Sequence, residues 1–159
     1  MKLRRVVNKV TAIVLREDSD GPEVLLFDHP TEKDGMTTQF PAGTIEPGET
    51  PEDAVIRELM EETGVEGRIV DSAGELEQEW EDQLWHRWLY IVEAIGDTKA
   101  AWPYHCDCGV PVVCRWVPLK TATVHSIQMP WLEIGRSYHS RSQMNLDEAA
   151  NYQSRSNRQ

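Results

Sequence analysis

Residues 43–65 read Gly43-Thr44-Ile45-Glu46-Pro47-Gly48-Glu49, seven further residues, then Arg57-Glu58-Leu59-Met60-Glu61-Glu62-Thr63-Gly64-Val65. The second half has the marks of a helix. Thr50 stands where an N-cap belongs, Pro51 supplies the fixed φ favoured at the first helical position, and Asp53 can return a capping bond. Gly64 supplies the stop. At roughly 100° of rotation per residue, Val55, Ile56, Leu59 and Met60 share one sector, and Ala54, Arg57, Glu58, Glu61 and Glu62 the opposite one. One face is expected to be core and the other ionic.

Glu58 precedes Glu61 by three residues and Glu62 by four. Like charges at those spacings destabilise a helix by roughly a few tenths of a kcal/mol per pair. A divalent cation removes the conflict, and a donor set made of carboxylate oxygens suits a hard ion such as Mg²⁺ or Mn²⁺. A solvated acidic helix face is the plain alternative for any one Glu-Glu pair.

The full pattern is Gly, five residues, Glu, seven residues, Arg-Glu, an aliphatic, any residue, Glu-Glu, any residue, Gly, an aliphatic. It resembles the signature of the Nudix hydrolases, with every specified position matched. The resemblance implies an α/β fold, the α/β/α sandwich around a mixed β-sheet. It also implies divalent-metal-dependent attack of water on a diphosphate linkage in a nucleoside diphosphate derivative. Carried over by position, Glu58, Glu61 and Glu62 are the expected metal ligands, joined by the backbone carbonyl of Ala42. Glu49 and Arg57 are the expected ion pair that orients helix and loop.

A diphosphate resists hydrolysis because its own charge repels the nucleophile, so catalysis is mostly positioning and charge neutralisation. Metal ions supply both and make hydroxide available near neutral pH. A further carboxylate could act as general base, and Glu61, Glu77, Glu79, Glu81 and Glu93 are all eligible. The substrate is not legible: a nucleoside triphosphate, a nucleotide sugar, ADP-ribose and a dinucleoside polyphosphate all remain open. The proline and tyrosine that mark some Nudix subclasses downstream of the signature are replaced here by Trp80, Glu81 and Asp82. Two other classes are weaker fits. A non-catalytic ligand-sensing module would typically carry an eroded signature, and an isoprenoid-diphosphate isomerase needs a cysteine upstream of it, whereas all three cysteines lie downstream.

The chain has 159 residues, 40% of them hydrophobic, which is enough for one cored domain. We expect that domain over residues 1–140 and a flexible polar tail over 141–159. A net charge of −11 argues against non-specific binding to nucleic acid or to an anionic membrane. Lys2-Leu3-Arg4-Arg5 resembles the start of a signal peptide, but Asn8, Lys9 and Thr11 interrupt the apolar run and no cleavage site follows. The expectation is a cytoplasmic enzyme.

Strand composition marks 10–15, 24–27, 37–40, 68–70, 85–94 and 112–117, with a turn at 18–22. A second helix is expected within 119–138, broken by Pro130. Trp80, Trp85, Trp88 and Trp102 cluster after the signature, where an indole could stack on a nucleobase. Trp80, in an acidic loop-like run, is the better candidate and Trp85 a further one; Trp85, Trp88 and Tyr90 also read as strand residues facing a core or a homodimer interface. His29 and Lys33, and behind them Arg5 and Arg16, are candidate phosphate contacts. His105, Cys106, Cys108 and Cys114 offer a zinc ligand set, but the cysteine spacing suits zinc poorly, and free thiols are the simpler expectation.

Overall fold

The computed structural model describes residues 3–31 and 35–158. In chain order the elements are β1 (Arg5–Asp18), β2 (Gly21–Thr31), β3 (Gly35–Gln39), β4 (Ala42–Thr44), α1 (Pro51–Thr63), β5 (Gly67–Trp80), β6 (Gln83–Ala94), β7 (Ala101–His105) and β8 (Pro111–Pro118). A 3₁₀ turn, Ser126–Gln128, then leads into α2 (Met129–Ser156). The strands form one sheet in the order β5-β6-β1-β2-β8-β7, with β3 added to β2 and β4 to β1. Only the β1–β6 pairing is parallel, running from Arg5↔Gln83 to Val14↔Val92; the rest are antiparallel. The sheet is therefore mixed.

Its central strands are apolar at successive positions because both faces are covered. Side chains alternate between faces with a period of two. Val10, Ala12 and Val14 of β1, Leu25 and Phe27 of β2, Tyr90 and Val92 of β6, and Val112, Cys114 and Trp116 of β8 join Ala54, Val55 and Leu59 of α1 in one cluster. Ile13, Val24, Leu26, Leu89 and Ile91 take the opposite parity and join Trp131 and Leu132 of α2 in the other. A layer of helix thus lies on each side of the sheet.

Helix α1 is capped as its sequence suggests: Thr50 Oγ1 accepts the Asp53 N–H at 3.1 Å. Gly64 closes it at φ 73°, its N–H bonding Met60 O. The rotation of the helix corrects the expected faces. Ala54 is fully buried and Met60 is 42% exposed, so the buried arc runs through Ala54, Val55, Leu59 and Thr63. At roughly 100° per residue, Glu58 and Glu62 fall inside that arc and not opposite it. They are carried toward the sheet instead of into solvent.

Three further expectations need correction. Pro130 does not break a helix; it lies in the first turn of α2, where its missing N–H costs nothing. The strand expected at 68–70 runs to Trp80, so Trp80 ends a strand and does not sit in a loop. Strand β7 is not among the expected strands; it contains Pro103, which the edge of the sheet tolerates. Helix α2 runs on past residue 140, and residues 143–158 are all exposed. Among the described residues no helix is long and apolar enough to cross a membrane.

Candidate metal centre and substrate cavity

Arg57 is the hub of the signature. Its Nε and Nη2 donate to the two Glu49 carboxylate oxygens at 2.7 and 2.9 Å. Its Nη1 donates to Glu58 and to Glu61, both at 2.9 Å, and Nη2 also reaches the Thr44 carbonyl at 3.1 Å. The fork geometry of a guanidinium is what allows one side chain to hold loop and helix together. The Glu49 carboxyl is held below the ordinary range by these bonds.

Glu62 lies across from this hub, its Oε2 accepting the Ala42 N–H at 3.0 Å. The Glu58 carboxylate packs against Gly43 so closely that any Cβ there would collide with it. Burial pushes the Glu58 carboxyl above its ordinary value, partly offset by Arg57, and pushes Glu62 well above its own. Asp107 adds further negative field to both. One guanidinium thus faces several half-buried carboxylates and leaves the cluster with excess negative charge. An all-oxygen donor set with surplus charge, in a cradle kept open by a glycine, fits a hard divalent cation.

Ala42 and Gly43 also line one end of a cavity of about 520 Å³, whose walls include Lys9, Trp80, Trp85, Arg87, Gln128 and Trp131. Trp80 and Trp85 stack with ring centroids 5.4 Å apart at 18°. Lys9 Nζ lies 4.5 Å from the Trp85 ring centroid and bonds Thr44 Oγ1 at 3.1 Å. Arg87 is 2% exposed. It bonds the Val10 carbonyl and Thr11 Oγ1 through Nη1, at 3.1 and 3.0 Å, and its guanidinium lies 4.1 Å from the Trp131 ring centroid. Its Nε has no partner, and burial lowers its pKa to about 9. A buried cation of this kind is costly without an anion. Behind Ile127 and Trp131 of the wall, Gln78 donates to Ile127 O at 2.8 Å and accepts from Trp131 Nε1 at 3.0 Å, and so ties the start of α2 to β5.

The structure brings together Glu49, Arg57, Glu58, Glu61, Glu62 and Ala42, and places Trp80 and Trp85 in the cavity wall. Of the other carboxylates considered as base, Glu81 lines the cavity. Glu77, Glu79 and Glu93 pair instead with His86, Arg4 and Arg68. Trp88 packs on the α1-side cluster. His29 does not line the cavity and its Nε2 lies 3.8 Å from Cys108 Sγ, and Arg16 pairs with Glu23 against Trp116; Lys33 lies outside the described residues. The cysteines do not form the expected set. Cys106 and Cys108 are joined as a disulfide, and Cys114 is a buried free thiol with its Sγ 3.9 Å from Glu62 O.

Lys9 and Arg87 are the cations that the reading of the sequence missed. The signal for Arg87 was present: it shares the parity of Leu89 and Ile91 in β6, a charged residue at an inward position.

Comparison with known proteins agrees with this geometry. A protein of Caenorhabditis elegans named as a nudix hydrolase is 29% identical over 130 residues, which cover 81% of this chain and 34% of that protein. The 8-oxo-dGTP diphosphatase of Escherichia coli K12 is 46% identical over 55 residues, covering 35% of this chain and 43% of that one. The matched stretches therefore span less than half the length of each of these relatives. In fold, it is similar to the NUDIX domain of Shewanella oneidensis NrtR complexed with ADP ribose, with a TM-score of 0.66, 17% identity and coverage of 87% of this chain and 90% of that one. With the NUDIX domain family model matching residues 7–133, the chain belongs to the NUDIX family.

Proposed function

We propose that the protein hydrolyses the diphosphate linkage of a nucleoside diphosphate derivative. The observation that carries this reading is the continuity between cluster and cavity: Glu58 and Glu62 touch Gly43 and Ala42, and the same two residues form the end of an aromatic, cationic pocket. A diphosphate at that junction places its nucleoside part in the cavity.

Glu58, Glu61, Glu62 and the backbone of Ala42 hold Mg²⁺ or Mn²⁺. The ion supplies charge neutralisation of the diphosphate and polarisation of water. Arg57 and Glu49 keep the signature loop against the helix, so that the carboxylates converge. Trp80, the more exposed of the stacked pair at 39%, presents a face for the base, a contact worth roughly 1 to 3 kcal/mol and indifferent to base identity. Lys9 and the unpartnered Nε of Arg87 receive the acceptor atoms of the ligand. Glu61 in the cluster and Glu81 on the cavity wall are the carboxylates placed to take a proton from water.

The test is release of phosphate or pyrophosphate, in the presence of Mg²⁺, from a panel of substrates. It should span nucleoside triphosphates and their oxidised forms, ADP-ribose, nucleotide sugars, dinucleoside polyphosphates and 5′-triphosphate RNA. Turnover of one class, abolished by chelator, is the expected outcome. Binding without turnover across the panel would replace hydrolysis with ligand sensing.

A further inference from the structure

A second donor cluster lies outside the carboxylate centre. The ligand atoms of His29, Cys106 and Cys108 all fall within 4.8 Å of one another. His29 comes from near the end of β2 and the cysteines from the tip of the β7–β8 hairpin, so long-range folding and not chain proximity brings them together. The hairpin tip is built tightly: Gly109 N–H bonds Cys106 O at 2.8 Å and Cys106 N–H bonds Val110 O at 3.2 Å. The Cys106–Cys108 bond holds the two sulfurs side by side.

The tautomer of His29 follows from its partner. Nδ1 lies 2.7 Å from the Pro30 carbonyl oxygen, which can only accept, so Nδ1 carries the proton. In the neutral ring Nε2 then has a bare lone pair, and it lies 3.8 Å from Cys108 Sγ. A histidine fixed through one nitrogen by a carbonyl and open at the other is the arrangement of metal-ligating histidines. Two sulfurs and an imidazole are a donor set for a soft or borderline ion, unlike the all-oxygen cradle of Glu58, Glu61 and Glu62.

We propose that His29 Nε2, Cys106 Sγ and Cys108 Sγ form a zinc site when the Cys106–Cys108 bond is reduced, so that the hairpin tip alternates between a disulfide and a metal-bound dithiolate. In the reduction a cellular dithiol gives up two electrons and two protons, its own sulfurs join, and the Cys106–Cys108 bond opens to two thiols. Zn²⁺ then displaces both thiol protons and takes the His29 lone pair, leaving its fourth position for water. Cys114 takes no part: it is buried on the α1 side, and burial raises its pKa to about 12. Asp107 lies between the two cysteines and adds its charge to that on Glu58 and Glu62.

The experiment uses the full chain, reduced with a phosphine, desalted without oxygen, loaded with Zn²⁺ and passed over a chelating resin. Retained zinc is measured by elemental analysis and reactive thiols by a disulfide reagent. Wild type is expected to retain a single zinc that shields Cys106 and Cys108 from the reagent. His29→Gln and Cys108→Ser each lose at least about tenfold in zinc affinity, since even partners beyond the ligands can cost that much; Glu62→Gln leaves it unchanged. Both tested residues are near the surface, and unaltered melting temperatures separate loss of a ligand from loss of fold. No zinc on the reduced wild type, equal zinc on His29→Gln and Cys108→Ser, or zinc lost only in Glu62→Gln would each overturn the proposal. None of these outcomes depends on hydrolysis being observed.

Discussion

Replacing Arg57 by methionine removes the one cation of the signature and keeps most of its aliphatic bulk. Five hydrogen bonds go with it, two to Glu49, one each to Glu58 and Glu61, and one to Thr44 O. A hydrogen bond to a charged group is worth about 1.5 to 3 kcal/mol when well shielded. Here the side chains are between 12% and 33% exposed, so water screens part of each. Breaking a fully buried pair costs about 3 to 5 kcal/mol and an exposed one about 0 to 1. This network lies between, and the expected loss in metal-free protein is about 2 to 3 kcal/mol. At roughly 2 to 4 °C per kcal/mol for a domain of this size, Tm falls by about 4 to 12 °C.

Saturating Mg²⁺ changes the sum. A cation at Glu58, Glu61 and Glu62 replaces the charge that those groups lost, while Glu49 stays unpaired. The deficit should then shrink to about half, and Mg²⁺ should raise the Tm of Arg57→Met by more than it raises that of wild type. Calorimetry with chelator and with Mg²⁺ reads both quantities. An equal Tm loss in the two conditions, or a wild-type Tm indifferent to Mg²⁺, would refute the assignment of these carboxylates to a cation.

In chelator, Glu58 and Glu62 have folded pKa values above their unfolded ones, so their contribution favours the fold below the ordinary carboxylate range and is lost as pH rises through the raised values. The Tm increment from Mg²⁺ should therefore grow with pH over that window, and a flat increment would contradict it. Glu62→Gln keeps an acceptor for the Ala42 N–H but loses a charge, and turnover should fall by orders of magnitude in an assay at saturating Mg²⁺ with Tm preserved. Arg87→Met exchanges a buried, incompletely bonded cation for an apolar chain, which is often neutral or stabilising. Its Tm should hold while KM for the substrate rises roughly 10- to 100-fold, the equivalent of one charged hydrogen bond. Thr50→Ala removes the cap of α1 and should cost about 1 kcal/mol in denaturant melts.

The acidic cluster was legible because Glu58, Glu61 and Glu62 lie within about one helical turn of each other, where spacing alone implies proximity. Glu58 with Glu61 and Glu62 needed no tertiary information; the pairing of Glu49 with Arg57 was implied by the resemblance, and the two bond at 2.7 and 2.9 Å. What spacing could not give was the rotation of α1. Treating Met60 as core and Ala54 as outer placed Glu58 and Glu62 in solvent, whereas the sheet and the missing side chain at Gly43 let both carboxylates sink inward. The cavity was unreadable for a different reason. Its walls come from β1, β3, β5, β6 and the start of α2, and nothing local says that Lys9, Arg87 and Trp131 meet. The same holds for His29 and Cys108, which are drawn together only because β8 pairs with β2 and β7 with β8.

The placement of charge around the cavity links metal and ligand. Lys9 feels Glu58 and Glu62 favourably and Arg87 unfavourably, so it stands between a negative and a positive group. Yet among the described residues no ion pair joins Lys9 or Arg87 to those carboxylates. Lys9 bonds Thr44 Oγ1, Arg87 bonds Val10 O and Thr11 Oγ1, and the carboxylates take Arg57 and the Ala42 N–H. These opposite charges influence one another without closing into a pair, and each carries a cost in desolvation. A cation bound alone at the carboxylates would relieve one side and deepen the positive field on the other. An anionic ligand bound alone would do the reverse. Only the two together would neutralise both, which is the electrostatic ground for proposing a metal-complexed diphosphate as the substrate.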